Sequence, residues 1–300
     1  MREWLTSLTV ATGTLALVSL NLATAFAQNP SAEGGAAARA PEGGSRGIRG
    51  GRARANRPPA GPTPRLPDNP FYGVNAGKPD LGGKGMWQVP YIINMASARF
   101  TGTDVDVPFR PEAKRIFDER TANHSKDDPE GFCLPPGVPR MMYTPYPAQI
   151  YQMADRILFI FEGGAHVWRI IWMDGRKHLA DPNPTFLGDS IGRWEGDTLV
   201  VDTVGFNDRT WLDAAGHMHG EKLHVTEKFT RPDADTLRLE ATIDDPDYYT
   251  QPWAVVTTAT WAPEAELMEY ICQENNRDVA HLGGNEGGTP VTTKGVPEVK

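Results

Sequence analysis

SIGRWEGDTLVVDTVG, residues 190–205, decides the fold. One β-rich run leads into Glu195-Gly196-Asp197 and a second follows at once, which is the pattern of a β-hairpin. Similar runs recur on both sides of it, with turn residues at Gly163-Gly164 and at 232–235. Because the links are only a few residues long, neighbouring strands are expected to pair antiparallel.

Nine such runs are predicted, at residues 148–153, 156–162, 166–173, 190–194, 198–205, 222–230, 236–243, 253–261 and 267–272. No link has the length and the 3.6-residue period of a helical crossover, so a parallel sheet is not expected. A sheet of this size in one domain leaves exposed edges unless it closes. The prediction is therefore an all-β fold, an antiparallel up-and-down barrel of the calycin or lipocalin-like kind. A two-sheet β-sandwich is the alternative.

The remaining chain divides into three parts. Residues 1–27 have the charge, apolar stretch and small-x-small ending of a signal peptide, which predicts a periplasmic or secreted protein with no stable membrane insertion after cleavage. Residues 28–66 are rich in Gly, Arg and Pro and predict a disordered linker. Residues 67–300 are predicted to form one domain, in which 67–147 wrap the barrel and 111–123 form a helix that starts at a proline.

Charge is divided unevenly along the chain. Seven arginines and two glutamates give the linker a net charge of +5, whereas the whole chain carries −8. Because Arg2 and Glu3 cancel, the residues after 66 carry −13. Nucleic-acid binding needs basic patches, so the folded part is not expected to bind nucleic acid.

Cys133 and Cys272 are the only cysteines. In an exported protein a lone pair predicts a disulfide, and two buried thiols are the alternative. A disulfide here would close a loop of more than a hundred residues.

Residues 222–231 place charged side chains on a face that is otherwise apolar. Glu227 and Arg231 alternate with the same parity as Leu223, Val225 and Phe229. A barrel of about eight strands can hold one small ligand in its interior. We therefore expect Glu227 and Arg231 to form an ion pair, either inside a ligand cavity or at the rim of the barrel.

Three histidines lie close together near residue 220. His217 and His219 are two residues apart and point the same way in an extended chain, and His224 follows. One divalent transition metal held by His217, His219 and His224 is the alternative to a protein without a cofactor. The metal-free interpretation uses His219, Asp213 and Glu227 for proton transfer, with His219 and Asp213 as the preferred pair. Capping of turns by the same residues is the structural alternative.

Several side chains near these histidines are suited to bind an organic ligand. Indole rings suit planar or sugar-like molecules. The predicted ligand-binding residues are Trp194, Trp211, Asn207, Arg231, His217 and His224.

Motifs for nucleotide binding and for serine or zinc hydrolases are absent from the sequence. The leading hypothesis is an exported β-barrel that binds an aromatic or carbohydrate-like small molecule and acts on it by His and carboxylate proton transfer, as a lyase, isomerase or hydrolase. A non-catalytic periplasmic ligand-binding or envelope-associated protein is the alternative. The sequence does not set the oligomeric state.

Several blocks in order resemble a family of secreted bacterial proteins, most of them without an assigned function. The blocks are CLPPGVPR (133–140), DGRKH (174–178), WEGDTLVVDT (194–203), GFND (205–208), WLD (211–213), GHxH (216–219), LHV (223–225), DDPDYYTQPW (244–253) and CQEN (272–275). The family's histidine motif usually reads GHPHS, from which Met218 and Gly220 depart, and Lys228 replaces an Arg. The resemblance implies a calycin-like barrel and brings no known activity.

Overall fold

The computed structural model describes residues 60–164 and 167–272. The predicted signal peptide and most of the predicted linker lie outside these residues, as do His166 and the CQEN motif beyond Cys272. The described strands are β1 (Met86–Gln88), β2 (Ala148–Gln152), β3 (Arg156–Phe161), β4 (Trp168–Trp172), β5 (Asp189–Glu195), β6 (Thr198–Val204), β7 (His224–Asp233), β8 (Thr236–Asp244) and β9 (Trp253–Ala262).

The nine strands close into one barrel in chain order. The predicted all-β barrel is confirmed, and the sandwich is not formed. Closure depends on β1, a three-residue strand that pairs with β2 on one side and β9 on the other. The predicted strand at 267–272 is wrong, because this segment has no strand pairing and β1 takes the closing position.

One pair of neighbours departs from the up-and-down order. β4 and β5 run parallel and pair only where Ile171 meets Ser190 and Trp172 meets Ile191. Residues 173–188 carry the chain back to the end of the barrel at which β4 begins, and this connection contains no helix. The expectation that all pairs are antiparallel fails here, because a long irregular connection can cross over as a helix does.

The barrel interior follows the period-two pattern of the sequence. On β8, Leu237, Leu239 and Ile243 are fully buried, whereas Arg238 and Glu240 face outward and are partly exposed. The buried positions of β7 include two charged residues, Glu227 and Arg231. The core is therefore apolar with a few charged groups that need partners.

The wrapping segment contains two short α-helices, α1 (Ala98–Thr101) and α2 (Pro111–Ala122), and 3-10 turns at Pro70–Asn75, Pro129–Phe132 and Arg140–Met142. α2 confirms the predicted helix. Pro111 stands at its first turn, Ala113 is buried and Lys114 contacts Asp118 one turn later at 2.7 Å. Every helix within the described ranges is too short and too polar to span a bilayer.

The ordered body begins before residue 67. The Thr63 hydroxyl donates to the carbonyl of Arg231 at 2.8 Å, and the Leu66 amide donates to the carbonyl of Lys78 at 3.0 Å. Leu66 itself is buried. The predicted linker boundary at 66 is therefore a few residues too late, because these residues contact the barrel.

Candidate functional site

A cavity of about 780 Å³ lies in the wrapping segment, and none of its lining residues belongs to a strand. Its walls come from residues 91–94, the second half of α2, residues 124–134 and residues 140–146, with Tyr270 and Cys272 closing one side. The volume falls in the range of pockets that bind small organic molecules. The sequence analysis expected a ligand cavity inside the barrel. This candidate site lies outside the barrel interior.

A buried charge cluster forms one wall of this cavity. The Arg140 guanidinium contacts Asp128 at 2.6 Å and Glu130 at 2.7 Å, and its side chain is only 6% exposed. Asp128 also accepts from the amide of Glu130 at 3.1 Å, so this carboxylate caps the turn at Pro129–Phe132. Two carboxyl groups therefore share one guanidinium group in this wall.

Burial raises the pKa of Glu130, and the attraction of Arg140 only partly offsets this effect. The contacts of its carboxyl group, from Arg140 and from the Thr144 hydroxyl at 3.3 Å, both reach Oε2. A carboxyl group with a raised pKa that lines a cavity can donate a proton to a bound molecule.

Tyrosines supply the aromatic wall. The Tyr146 hydroxyl donates to the Tyr270 hydroxyl at 2.9 Å, and their ring centroids are 4.7 Å apart. Tyr91 also lines the cavity and is 55% exposed. Gly163 allows this packing, because a Cβ atom at that position would lie 2.0 Å from the Tyr146 ring.

The predicted disulfide is confirmed and lines the cavity. Cys133 and Cys272 are bonded across 139 residues, which ties the C-terminal segment to the loop that follows α2. Three non-glycine residues of this wall have left-handed backbone conformations: His124 at φ 60°, Ser125 at φ 53° and Cys133 at φ 63°. Such conformations cost free energy and concentrate at functional sites.

His217, rather than His219, forms the pair with Asp213. His217 Nδ1 lies 2.7 Å from Asp213 Oδ2, and both side chains are buried. The preferred pairing of His219 with Asp213 is therefore wrong. Asp213 also accepts from the amides of Met95, Ala215, Gly216 and His217. Burial acts against ionisation, but His217 and the amides outweigh it and lower the pKa of Asp213.

The His217 ring is enclosed by aromatic side chains. It stacks on Phe109 at 5.5 Å with an interplanar angle of 6°, and it contacts Phe117 at 4.4 Å and Trp253 at 5.6 Å. Phe117 also lines the cavity. Ala214 and Ala215, which lie between Asp213 and His217 in the chain, line the cavity as well, so the pair holds a loop that forms part of the cavity wall.

His219 is buried as a neutral imidazole. Its Nε2 lies 2.6 Å from the Thr210 hydroxyl, and its Nδ1 lies 3.2 Å from the carbonyl of Gly220. A carbonyl only accepts, so Nδ1 carries the hydrogen and Nε2 accepts from Thr210. Burial lowers the pKa of His219 to about 4. A group that is enclosed in this way does not reach a substrate in the cavity.

Glu227 pairs with a residue that the sequence analysis did not select. Its Oε2 lies 2.5 Å from Arg169 Nη2 on β4, inside the barrel. Arg231 instead donates to the backbone carbonyls of Asp80 and Ala234. The predicted Glu227–Arg231 pair is therefore wrong, because β7 faces β4 across the interior and Arg231 reaches the loops at the barrel rim.

His224 belongs to a separate chain of hydrogen bonds on the outer face. His224 Nε2 lies 2.7 Å from Asp202 Oδ2, His178 Nε2 lies 2.7 Å from Asp202 Oδ1, and His178 Nδ1 lies 2.8 Å from Asp189. This chain attaches the crossover loop to β5 and β6. Because His217, His219 and His224 have different partners, the predicted metal set is not formed. Among the described residues, no group of three or more His, Cys, Asp or Glu is arranged to hold a metal ion.

The other predicted ligand-binding residues have structural contacts away from the cavity. Trp194 donates to the side-chain oxygen of Asn75 at 2.8 Å, and Trp211 packs under Arg120 at 4.1 Å. The Asn207 side chain accepts from the amide of Arg209 at 3.1 Å. None of the three predicted residues lines the cavity.

The sequence analysis missed Glu130, Arg140 and the tyrosines of the cavity. A signal was present, because CLPPGVPR ends at Arg140 and begins at the disulfide cysteine, but its residues were assigned only to a wrapping segment. The chain matches no protein-family model, no curated protein and no solved structure at a significant level.

Proposed function

We propose that the protein binds a small, carbohydrate-like or aromatic molecule in the 780 Å³ cavity. The observation that carries this proposal is the combination of exposed Tyr91, the Tyr146–Tyr270 pair and the buried Arg140 cluster in one cavity. Aromatic rings pack against the apolar face of a sugar or against a second ring. Carboxylates and hydroxyl groups beside them accept and donate hydrogen bonds that fix orientation.

Export to the periplasm or the outside of the cell is part of the proposal. The Cys133–Cys272 disulfide supports it, because structural disulfides persist in oxidising compartments. The predicted cleavage site after Ala27 supports it independently. Mass spectrometry of the protein from a bacterial periplasm should give a mature chain that begins at Gln28, and an uncleaved chain would contradict export by this route.

The binding experiment compares two exposed tyrosines. The full mature chain is titrated with a panel of mono- and disaccharides and simple phenols by calorimetry, and Tyr91→Ala is compared with Tyr151→Ala. Tyr151 lies on the outer face of β2, is 43% exposed and does not line the cavity. We expect Tyr91→Ala to weaken binding about tenfold or more and Tyr151→Ala to leave it within about twofold. Equal effects, or no ligand in the panel, would contradict the proposal.

A catalytic role has one specific observation in its favour, the raised pKa of Glu130 beside Arg140 and Thr144. In this second candidate function Glu130 donates the proton, in place of the expected His219, in a hydrolase, lyase or isomerase reaction. Glu130→Gln keeps the shape and the hydrogen bond from Thr144. We expect it to abolish turnover while ligand affinity stays within about tenfold. Turnover that survives Glu130→Gln would assign the protein to the binding class or the proton transfer to another group.

A further inference from the structure

The Arg140 guanidinium in the wall of the 780 Å³ cavity is already engaged by Asp128. Arg140 Nη1 donates to Asp128 Oδ1 at 2.8 Å and Nη2 donates to Asp128 Oδ2 at 2.6 Å, so the two groups form a bidentate pair. Glu130 Oε2 lies 2.7 Å from the same Nη2. One guanidinium group thus serves two carboxyl groups, and only Asp128 has both of its oxygens paired with it.

The second oxygen of Glu130 is left for a ligand. The described contacts of this carboxyl group, from Arg140 and from Thr144, both reach Oε2. The Glu130 side chain is 19% exposed, and Oε1 is not among the enclosed atoms that lack a partner, so it is open on the side of the cavity that Glu130 lines. Among the described residues of the lining, Arg140 is the only Lys or Arg. No second permanent cation of the lining is therefore available to Oε1.

Aromatic rings lie near this carboxyl group. Phe117, Tyr91, Tyr146 and Tyr270 line the same cavity. Burial raises the pKa of Tyr91 and of Tyr146, and the negative charge of Glu130 contributes to both shifts. The carboxyl group thus lies within electrostatic range of two of the tyrosines. Aromatic faces attract an organic ammonium group, and a carboxylate beside them neutralises its charge.

We propose that the ligand of the 780 Å³ cavity is a small organic amine, such as an amino sugar or an arylalkyl amine, bound as the ammonium ion. The ammonium group donates to Glu130 Oε1, and the tyrosine rings contact the carbon skeleton. An anionic ligand would have to compete with Asp128 and Glu130 for Arg140. The residues after 66 carry −13, which attracts cations to the domain. This inference rests on the binding function proposed above and not on its catalytic candidate.

The experiment uses two sets of ligands that differ in charge and little in shape. Tyramine is cationic, tyrosol is neutral and para-hydroxyphenylacetate is anionic, and glucosamine, glucose and glucuronate form the second set. Each ligand is titrated into the full mature chain by calorimetry at constant ionic strength, slightly below neutral pH, where the amines are protonated. In at least one set we expect the amine to bind at least about tenfold more tightly than its neutral partner, and the anion to bind most weakly.

Glu130→Gln tests the carboxylate, and Glu195→Gln is its matched control. Gln keeps the size of the side chain and can accept from the Thr144 hydroxyl, but it carries no charge. Glu195 pairs with Arg193 at the end of β5, has a side chain that is 53% exposed and does not line the cavity. We expect Glu130→Gln to reduce the preference for the amine over the neutral ligand at least about fivefold, and Glu195→Gln to leave it within about twofold.

Two results would overturn this proposal alone. One is a neutral ligand that binds as tightly as the matching amine, because the cavity would then keep its binding function without an ammonium contact. The other is an amine preference that survives in Glu130→Gln, which would place the cation elsewhere. Absence of binding by every ligand of both sets would overturn it together with the function proposed for the cavity. If Glu130→Gln does not fold, the ranking of cation, neutral ligand and anion in the wild type decides alone.

Discussion

The buried imidazole of His219 makes the stability of the protein depend on pH. Its pKa is lowered from 6.5 to about 4, because burial disfavours the imidazolium ion. Protonation would also remove the acceptor for the Thr210 hydroxyl, which lies 2.6 Å from Nε2. The difference between the two pKa values corresponds to about 3 kcal/mol of free energy of unfolding when the group titrates fully.

The sign follows from the protons bound in each state. The unfolded chain protonates His219 as the pH falls through about 6.5, whereas the folded protein protonates it only near 4. Between these values the unfolded state holds more protons, so lowering the pH favours unfolding. The contribution of His219 is present above pH 6.5 and is lost progressively towards pH 4.

The assay is urea unfolding of the wild type and His219→Gln at about pH 6.5 and about pH 4.5. Gln keeps a group that can accept from Thr210 but does not titrate. Over this range we expect the wild type to lose about 2 kcal/mol more stability than the variant. The comparison cancels the other titrating groups, including His178, whose raised pKa acts in the opposite direction. Equal losses in the two proteins would refute the assignment of His219 as a buried neutral group.

Three further changes test the disulfide, the buried ion pair and the packing of Gly163 against Tyr146. Removing the disulfide with Cys133→Ser/Cys272→Ser frees a 139-residue loop and should lower the free energy of unfolding by about 5 kcal/mol in urea; a loss under about 1 kcal/mol would contradict this estimate of its contribution. Glu227→Ala should cost about 3–5 kcal/mol because it leaves Arg169 unpaired, whereas Arg169→Met/Glu227→Leu should be close to neutral, and similar losses would argue against a buried ion pair. Gly163→Ala should cost about 1–3 kcal/mol and weaken ligand binding, since the new Cβ displaces the Tyr146 ring, whereas in Gly61→Ala the nearest atom is 3.8 Å away and stability should be unchanged; equal thermal midpoints would contradict the packing.

The pairings of individual charged groups needed the tertiary structure. Glu227 was expected to meet Arg231 four residues away, but its partner Arg169 is 58 residues distant and lies on the opposite wall. His219 was expected to pair with Asp213, yet the chain turns so that His217 Nδ1 faces the carboxylate. Alternation along a strand predicts which side chains face the interior. It does not predict which residue each of them contacts across the barrel.

The candidate site was equally inaccessible to sequence reasoning. Glu130, Arg140 and Tyr270 are brought together by a wrapping segment without regular periodicity and by a disulfide to the far end of the domain. Such a cavity depends on contacts between segments that are distant along the chain, and the CLPPGVPR block that lines part of it carries no information about those contacts.

The sequence by itself determined the strand class and the hairpins, because alternation and turn residues act over a few neighbouring positions. It predicted the disulfide from the lone pair of cysteines, with two buried thiols as the alternative. Only the tertiary structure decided the closure through the three-residue β1, the parallel contact of β4 with β5 and the position of the 780 Å³ cavity. The physical reason is the sequence separation over which the interactions act. Backbone conformation responds to adjacent residues, whereas barrel closure and the burial of charged groups depend on which distant segments meet after folding.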